Sequence, residues 1–345
     1  MEFRGGTTDR NLRHAAFWGL CANKPAAEIV PEHASESATV QPKSSVRLTH
    51  PDRLYWPEVG VTKEGLADYY AGVWKHMGPL VVGRPLSLLR CPGGIVKPCF
   101  FQKHAWKGMG RSIHAMPDPL SGSGEMLLAI DDLDGLMSLV QGGVLEIHLW
   151  NATLAALEQP DMIIMDLDPG EGVAWLDVIA TAKELRDRLA LFGLASFVKT
   201  SGGKGLHVVA PLVPSVGWDR VKAFTKNMAQ AMVADHRDRY VATIAKSKRR
   251  GKILIDYLRN SRGATAVAAY SARARAHAPV SMPLAWDELS IEHGPAYFSI
   301  ANARTHLAQL GRDPWGDFHR AAVPLAERVS AQSKASKSLA SKAAL

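Results

Sequence analysis

The stretch Met162-Ile163-Ile164-Met165-Asp166-Leu167-Asp168-Pro169-Gly170 carries two acids, two positions apart, at the end of an apolar run. It reads as a buried strand that closes in a turn. Side chains alternate along a strand, so Asp166 and Asp168 leave one face and Met165 and Leu167 the other. The two acidic α-carbons then stand roughly 6.5–7 Å apart. Two like charges that close need a cation, and oxygen ligands suit a hard divalent ion. With a third carboxylate, two ions about 3.5–4 Å apart can carry phosphoryl transfer. A solvated Asp-Leu-Asp-Pro-Gly turn is the competing reading, because all three residue types are ordinary in turns.

Downstream of this strand, apolar spacing predicts a helix over Trp175 to Phe192 and another from Trp218 to about Ala234. Between them, Ser196–Thr200 and Leu206–Val209 read as strands joined by Ser201-Gly202-Gly203-Lys204-Gly205. Backbone amides freed by glycine can approach an anion closely, while Lys204 adds charge and Ser201 a hydroxyl. It is not a P-loop, which needs glycine where Val198 stands and Ser or Thr where Gly205 stands. A plain tight turn is the alternative. His207, just past the turn, could donate to a phosphate oxygen or simply be a satisfied strand histidine.

A third acid, Asp256, lies in the apolar strand 252–258 after the basic run Lys246-Ser247-Lys248-Arg249-Arg250. An ionised carboxylate there is costly unless a cation or hydrogen bonds compensate, so metal ligand and general base are open roles, beside an exposed edge position. The basic run is a solvated loop or a phosphate clamp. Upstream, Lys63 to Met77 reads as a packing helix with Thr62 as N-cap. Asp131 to Val140 reads as a second, stopped by Gln141-Gly142-Gly143. The strand Val144–Trp150 follows, with Glu146 and His148 on one face.

The chain has 345 residues, 47% of them hydrophobic, enough for one large core or two smaller ones, and a formal charge of +8 that favours polyanionic partners. No stretch approaches a membrane span, and the N-terminus has no uninterrupted apolar region of a secretory signal, so the expected location is cytoplasmic. Cys21, Cys91 and Cys99 are too few and irregular for a disulfide framework or a four-ligand zinc site, leaving Cys91, Cys99 and His104 as partial ligands at most. The expected organisation is a segment and linker over 1–45, a globular domain over 46–320 and a flexible basic tail over 321–345.

Taken in order, four motifs resemble the polymerase domain of bacterial ATP-dependent DNA ligase D, in the archaeo-eukaryotic primase superfamily. They are Asp166-Leu167-Asp168-Pro169-Gly170-Glu171-Gly172-Val173, Thr200 to His207, Ile255-Asp256-Tyr257 with Arg259-Asn260-Ser261, and Ala269 to Arg275. The likeness runs from about Val46 to Trp315. The first thirty residues, with Phe17-Trp18-Gly19-Leu20, look like the end of a ligase domain, although Cys21-Ala22 departs from the charged pair expected there.

The resemblance implies an α+β, primase-like fold with mixed β-sheets around a central catalytic cleft flanked by helices. It implies addition of NTPs or dNTPs to DNA 3′ ends, with gap filling and end processing in non-homologous end joining. Asp166, Asp168 and Asp256 would hold two divalent ions, Mn2+ or Mg2+. Ser201, Lys204 and His207 would embrace the triphosphate, His148 would lie near the sugar, Phe101 in Phe100-Phe101-Gln102-Lys103 would stack on the incoming base, and Lys103 would also bind the nucleotide. Arg273 would reach phosphate oxygens. His50, Arg53 and Lys63 would bind the 5′-phosphate of a downstream strand, with His50 and Arg53 departing from the Asn and Lys expected at those positions. Leu89 and Ala269 are further departures. Phe100 or Phe101 is expected in the core, and Arg273 or Arg275 has surface charge as its plain alternative. DNA with 5′-phosphorylated ends or gaps is the implied partner, with Ku and a linked or separate ligase. A non-catalytic binding module for such ends is the rival reading, and a metal-dependent nuclease a third.

Overall fold

A computed structural model describes residues 43–325, Ser123 excepted. The ligase-end-like segment up to residue 42, with Cys21, and the tail beyond residue 325 lie outside the described residues.

In chain order the strands are β1 (Leu54–Trp56), β2 (Val61–Thr62), β3 (Leu86–Arg90), β4 (Phe100–Gln102), β5 (Ile113–Pro117), β6 (Met126–Ile130), β7 (Val144–Leu149), β8 (Met162–Pro169), β9 (Phe197–Thr200), β10 (Leu206–Val213), β11 (Tyr240–Val241), β12 (Ile253–Asp256), β13 (Ala266–Val267), β14 (Pro283–Leu284) and β15 (Val323–Pro324). The helices are α1 (Lys63–Val81), α2 (Leu133–Gln141), α3 (Trp175–Leu191), α4 (Trp218–Asp235) and α5 (Ala303–Gln309).

One sheet has the order β11-β12-β8-β10-β9-β14, with β15 also on β10; the other has β13-β7-β3-β6-β5, with β4 on β3. Pairing is parallel at β11/β12 and β10/β15 and antiparallel elsewhere, so the expected mixed α+β architecture is the one observed. The strand β8 is paired on both edges, which explains its near-continuous apolar run: Ile163, Met165 and Leu167 are fully buried. Behind this sheet, α3 packs on β8 and β10, and α4 on β8 and β11. The stripe Val178, Ile179, Ala182, Leu185, Leu189 of α3 is the helical spacing read from sequence. Helices α1 and α2 pack together, and α2 covers β5 and β7 of the other sheet. Thr62 caps α1 by accepting from the Gly65 amide, and Asp132, one residue inside the expected start, caps α2 through the Gly135 amide.

Both domain boundaries shift. Ser44 and Ser45 hydrogen-bond the Asp134 carboxylate on α2, so the end of the expected linker is docked. Val323 and Pro324, placed in the tail from sequence, add a short parallel strand to β10. The cysteines also differ from expectation. Arg90 and Phe100 are direct partners across β3/β4, which places the flanking Cys91 and Cys99 side by side with α-carbons 4.4 Å apart, and they form a disulfide. Neither thiol is then a metal ligand.

The strand β12 ends at Asp256, earlier than expected, because the chain turns into a 3-10 segment over Leu258–Asn260. Asn260, fully buried, continues the ladder with its side chain: its amide accepts from Ile164 N (2.8 Å) and donates to Ile164 O (2.7 Å). This fastens the Asp256–Arg259 turn to β8. Asn260→Ala should leave both Ile164 groups unpaired and cost about 2–4 kcal/mol in chemical denaturation; a loss under about 0.5 kcal/mol would show that the turn holds without it.

Candidate active site

Strand register assembles the acids. Asp256 is the direct partner of Asp166, Asp166 of His207, and His207 of Lys199, so these four side chains form one row on one face of the sheet. Asp168 shares that face two residues along β8. The three carboxylates separated by up to ninety positions therefore meet, beside the hairpin 200–206.

The hairpin is held close to the acids by glycine. A Cβ on Gly205 would lie 2.0 Å from the Leu167 carbonyl oxygen, so no other residue permits this approach to β8. At Gly202 the backbone is left-handed (φ +62°), and a Cβ would strike Arg273. Ser201 N donates to Gly205 O, closing the turn. Together with the second sheet these elements enclose a cleft of about 300 Å³, lined by His148, Asp166, Asp168, Ser201, Lys204, His207, Arg259, Arg273 and Arg275 among others. The sequence-predicted nucleotide residues His148, Ser201, Lys204, His207 and Arg273 thus come together. Phe101 joins them edge-on to His148, with ring centroids 5.5 Å apart.

Cations stand at each acid. Arg259 contacts Asp166 Oδ2 (3.2 Å) and Asp256 Oδ2 (3.5 Å), and Arg249, from the basic run, pairs with Asp168. Among the described residues no group of three or more His, Cys, Asp or Glu side chains is gathered as tightly as a bound ion requires. The donor set nonetheless fits a hard divalent ion: three carboxylates on one face, each already drawn to positive charge. Burial, with Asp256 and Asp168 nearby, pushes the Asp166 carboxyl up to about 6 despite Arg259. A closer cation would relieve that cost.

On the facing sheet Glu146 is a buried hub. Its carboxylate meets His148 Nε2 (2.8 Å) and Arg273 Nε (3.1 Å) and accepts from Ala274 N (2.8 Å). Arg273 also donates to the Ser201 carbonyl. It is mostly buried and ion-paired rather than a surface charge, whereas Arg275 is exposed at the cleft.

The outer residues are less uniform. Phe100 and Phe101 are both exposed, 46% and 59%, so neither is core as expected; Phe100 lies under the Arg90 guanidinium, and Lys103 is exposed beyond them. His50 and Arg53 are exposed on one turn, and His50 has φ 51°, a conformation that Asn and His tolerate better than most residues. That departure from Asn therefore keeps the turn. Lys63 is buried, and its ammonium donates to Thr49 O, Gln141 O and Gln141 Oε1, spending all three donors. Burial, then Arg53, pushes its pKa down to about 8. Lys63 anchors the turn that presents His50 and Arg53.

Reading the sequence alone gave no role to Glu146, Lys199 or Arg259, and read Arg249 as part of a solvated loop or a phosphate clamp, where it pairs with Asp168. Glu146 and Arg259 had a signal, a shared strand face with His148 and a place in the Asp256 motif.

Residues 62–315 match the LigD primase-polymerase domain family. The chain is 38% identical over 328 residues to the multifunctional non-homologous end joining protein LigD of Pseudomonas aeruginosa, covering 91% of this chain and 39% of that protein. Against the multifunctional non-homologous end joining DNA repair protein LigD of Mycobacterium tuberculosis it is 33% identical over 304 residues, covering 83% and 38%. The chain thus spans about two fifths of the length of these curated relatives. The solved polymerase domain of Mycobacterium tuberculosis ligase D in complex with DNA is similar with TM-score 0.74 and 31% identity, over 81% of this chain and all of that one.

Proposed function

Because the chain belongs to the LigD primase-polymerase domain family, we propose that it is a DNA-repair nucleotidyltransferase, adding NTPs or dNTPs to DNA 3′ ends at gaps and broken ends. The observation that carries this reading is the Asp256–Asp166–His207 row beside the glycine hairpin. A module that only binds DNA ends has no use for three carboxylates next to a basic cradle for a triphosphate.

Asp166, Asp168 and Asp256 would hold two divalent ions, Mn2+ or Mg2+, whose chemistry is to acidify the primer 3′-hydroxyl and to neutralise charge on the triphosphate and departing pyrophosphate. The protein's own groups supply position. Lys204 and Ser201 lie where hairpin and cleft meet and would grip phosphate oxygens, with Arg273 and Arg275 opposite. His148 would orient the sugar, held by Glu146. Phe101, exposed and edge-on to His148, would offer its face to the base. Arg249 and Arg259 serve as counter-charges for the acids and, with the carboxylates holding divalent ions, would be available to phosphate oxygens. His50 and Arg53 would meet a downstream 5′-phosphate. Ku and a linked or separate ligase would be its partners in such repair.

The test is extension of a primer across a gapped duplex, with and without 5′-phosphate, supplying each nucleotide type with each metal. Extension stimulated by the phosphate is expected, and the Asp166→Ala, Asp168→Ala double variant should lose it while DNA binding persists. Phosphate-dependent binding without incorporation would identify an end-binding module instead, and nucleotide release without triphosphate a nuclease.

A further inference from the structure

Lys199 closes the acidic row from behind and does not itself line the open cleft. Its side chain is 2% exposed. Its amine lies 3.0 Å from His207 Nδ1, 3.0 Å from the Val267 carbonyl and 2.7 Å from Ser281 Oγ. Val267 belongs to the opposite sheet, so one amine ties β9, β10, β13 and the Ser281 strand approach together. Ser281 spends its own hydroxyl hydrogen on Thr200 O (2.8 Å) and so accepts from Lys199. Two of the lysine's polar bonds are therefore committed to fixed acceptors, and the remaining position is aimed at the imidazole. The other ring nitrogen, Nε2, consequently faces Asp166 Oδ1, at 3.5 Å, on the cleft side.

A lysine buried without a carboxylate partner at hydrogen-bond distance is an expensive way to fill space. Burial, then the Arg273 charge, drives its pKa well below the ordinary value, and burial, then the Lys199 charge, lowers that of His207. Leucine or methionine would pack there without that cost. What a hydrocarbon cannot do is fix a ring that has two different nitrogens and can flip about χ2.

We propose that Lys199 is a positioning residue that holds the His207 ring with Nδ1 turned inward and Nε2 turned to the cleft, so that Nε2 is the atom that meets the triphosphate. This deepens the polymerase reading and rests on it. Lys199 makes no contact with substrate. Its effect passes through His207 alone, which separates it from Lys204, the exposed lysine of the hairpin.

The test is a double-mutant cycle in primer extension, using Lys199→Met, His207→Ala and the two combined. Lys199→Met should raise the nucleotide KM about tenfold with a smaller change in kcat, the size of one lost oriented hydrogen bond. In the His207→Ala background it should add less than about twofold, because no ring remains to be held. Additive losses, or an unchanged KM with only a lower melting temperature, would show a merely structural lysine. If Lys199→Met does not fold, nitrogen-15 NMR of the His207 ring in the wild-type chain decides the matter. ATP added without metal should move the Nε2 resonance and leave Nδ1 nearly still; the opposite pattern overturns the proposal. A wild-type chain with no extension would count against the polymerase assignment, whereas a fully active chain with an additive cycle counts only against Lys199.

Discussion

Asp166→Asn is expected to abolish primer extension and, in EDTA above pH 6, to make the protein more stable. The two effects have one cause. The carboxyl of Asp166 is pushed up to about 6 from an ordinary 3.8, chiefly by burial. A folded-state value above the unfolded one means that the fold binds this proton more tightly, so ion-free stability falls as pH rises from about 4 through 6. Above that window the ionised carboxylate costs roughly 3 kcal/mol, about two pKa units at 1.36 kcal/mol each. Asparagine keeps the shape and can still accept from Arg259 without the charge. Melting curves in EDTA at pH 8 should therefore place the variant above wild type, with the two converging near pH 4. Added divalent ion should raise wild type more than the variant. Extension should fall by at least about a thousandfold if Asp166 carries an ion that stabilises the transition state. A variant that is both active and less stable at pH 8 would refute the assignment.

Glu146→Ala should have the largest cost to folding. Burial alone would raise the Glu146 carboxyl, but the His148 hydrogen bond and the Arg273 charge carry it below its ordinary value. That stability is present above the unfolded carboxylate range and is lost as pH falls through the depressed folded value. Removing the acid leaves Arg273, mostly buried, without its counter-charge and frees His148. Breaking a buried ion pair from one side costs about 3–5 kcal/mol, and for a domain this size the melting temperature should drop on the order of 10 °C. Surviving folded protein should show a raised nucleotide KM, since His148 and Arg273 share one holder. Glu146→Gln, which keeps the Ala274 hydrogen bond within reach, should lose less of both. Equal effects of Ala and Gln would mean that charge, not hydrogen-bonding shape, does all the holding, and no effect of either would remove Glu146 from the site.

Much of the frame was legible before any fold was known. The strand β8, the helices α1, α3 and α4 and the glycine hairpin follow from periodicity and breakers, which act over a few residues. The side chains of Glu146 and His148 share a face and touch, as alternation requires. What failed was local too, but judged without its neighbours. Phe100 and Phe101 look like core in isolation, yet among the described residues their strand pairs with β3 alone and leaves both rings exposed. Cys91 and Cys99 look irregular at a spacing of eight, yet the β3/β4 register makes them adjacent.

By itself, then, the order of residues determined the main strand and helix segments around the acids, which acids share a face, and where the tight glycine turn must lie. Those properties depend on backbone period and on steric limits within a few positions of each residue. Only the tertiary structure decided that Asp256 is the cross-strand neighbour of Asp166, that Arg249 and Arg259 balance the acids, that Lys63 is spent on carbonyls, and that Lys199 backs His207. The reason is physical: a charge finds its partner through space, across strands brought together by a common core, and register between distant segments is set by burial of the whole sheet.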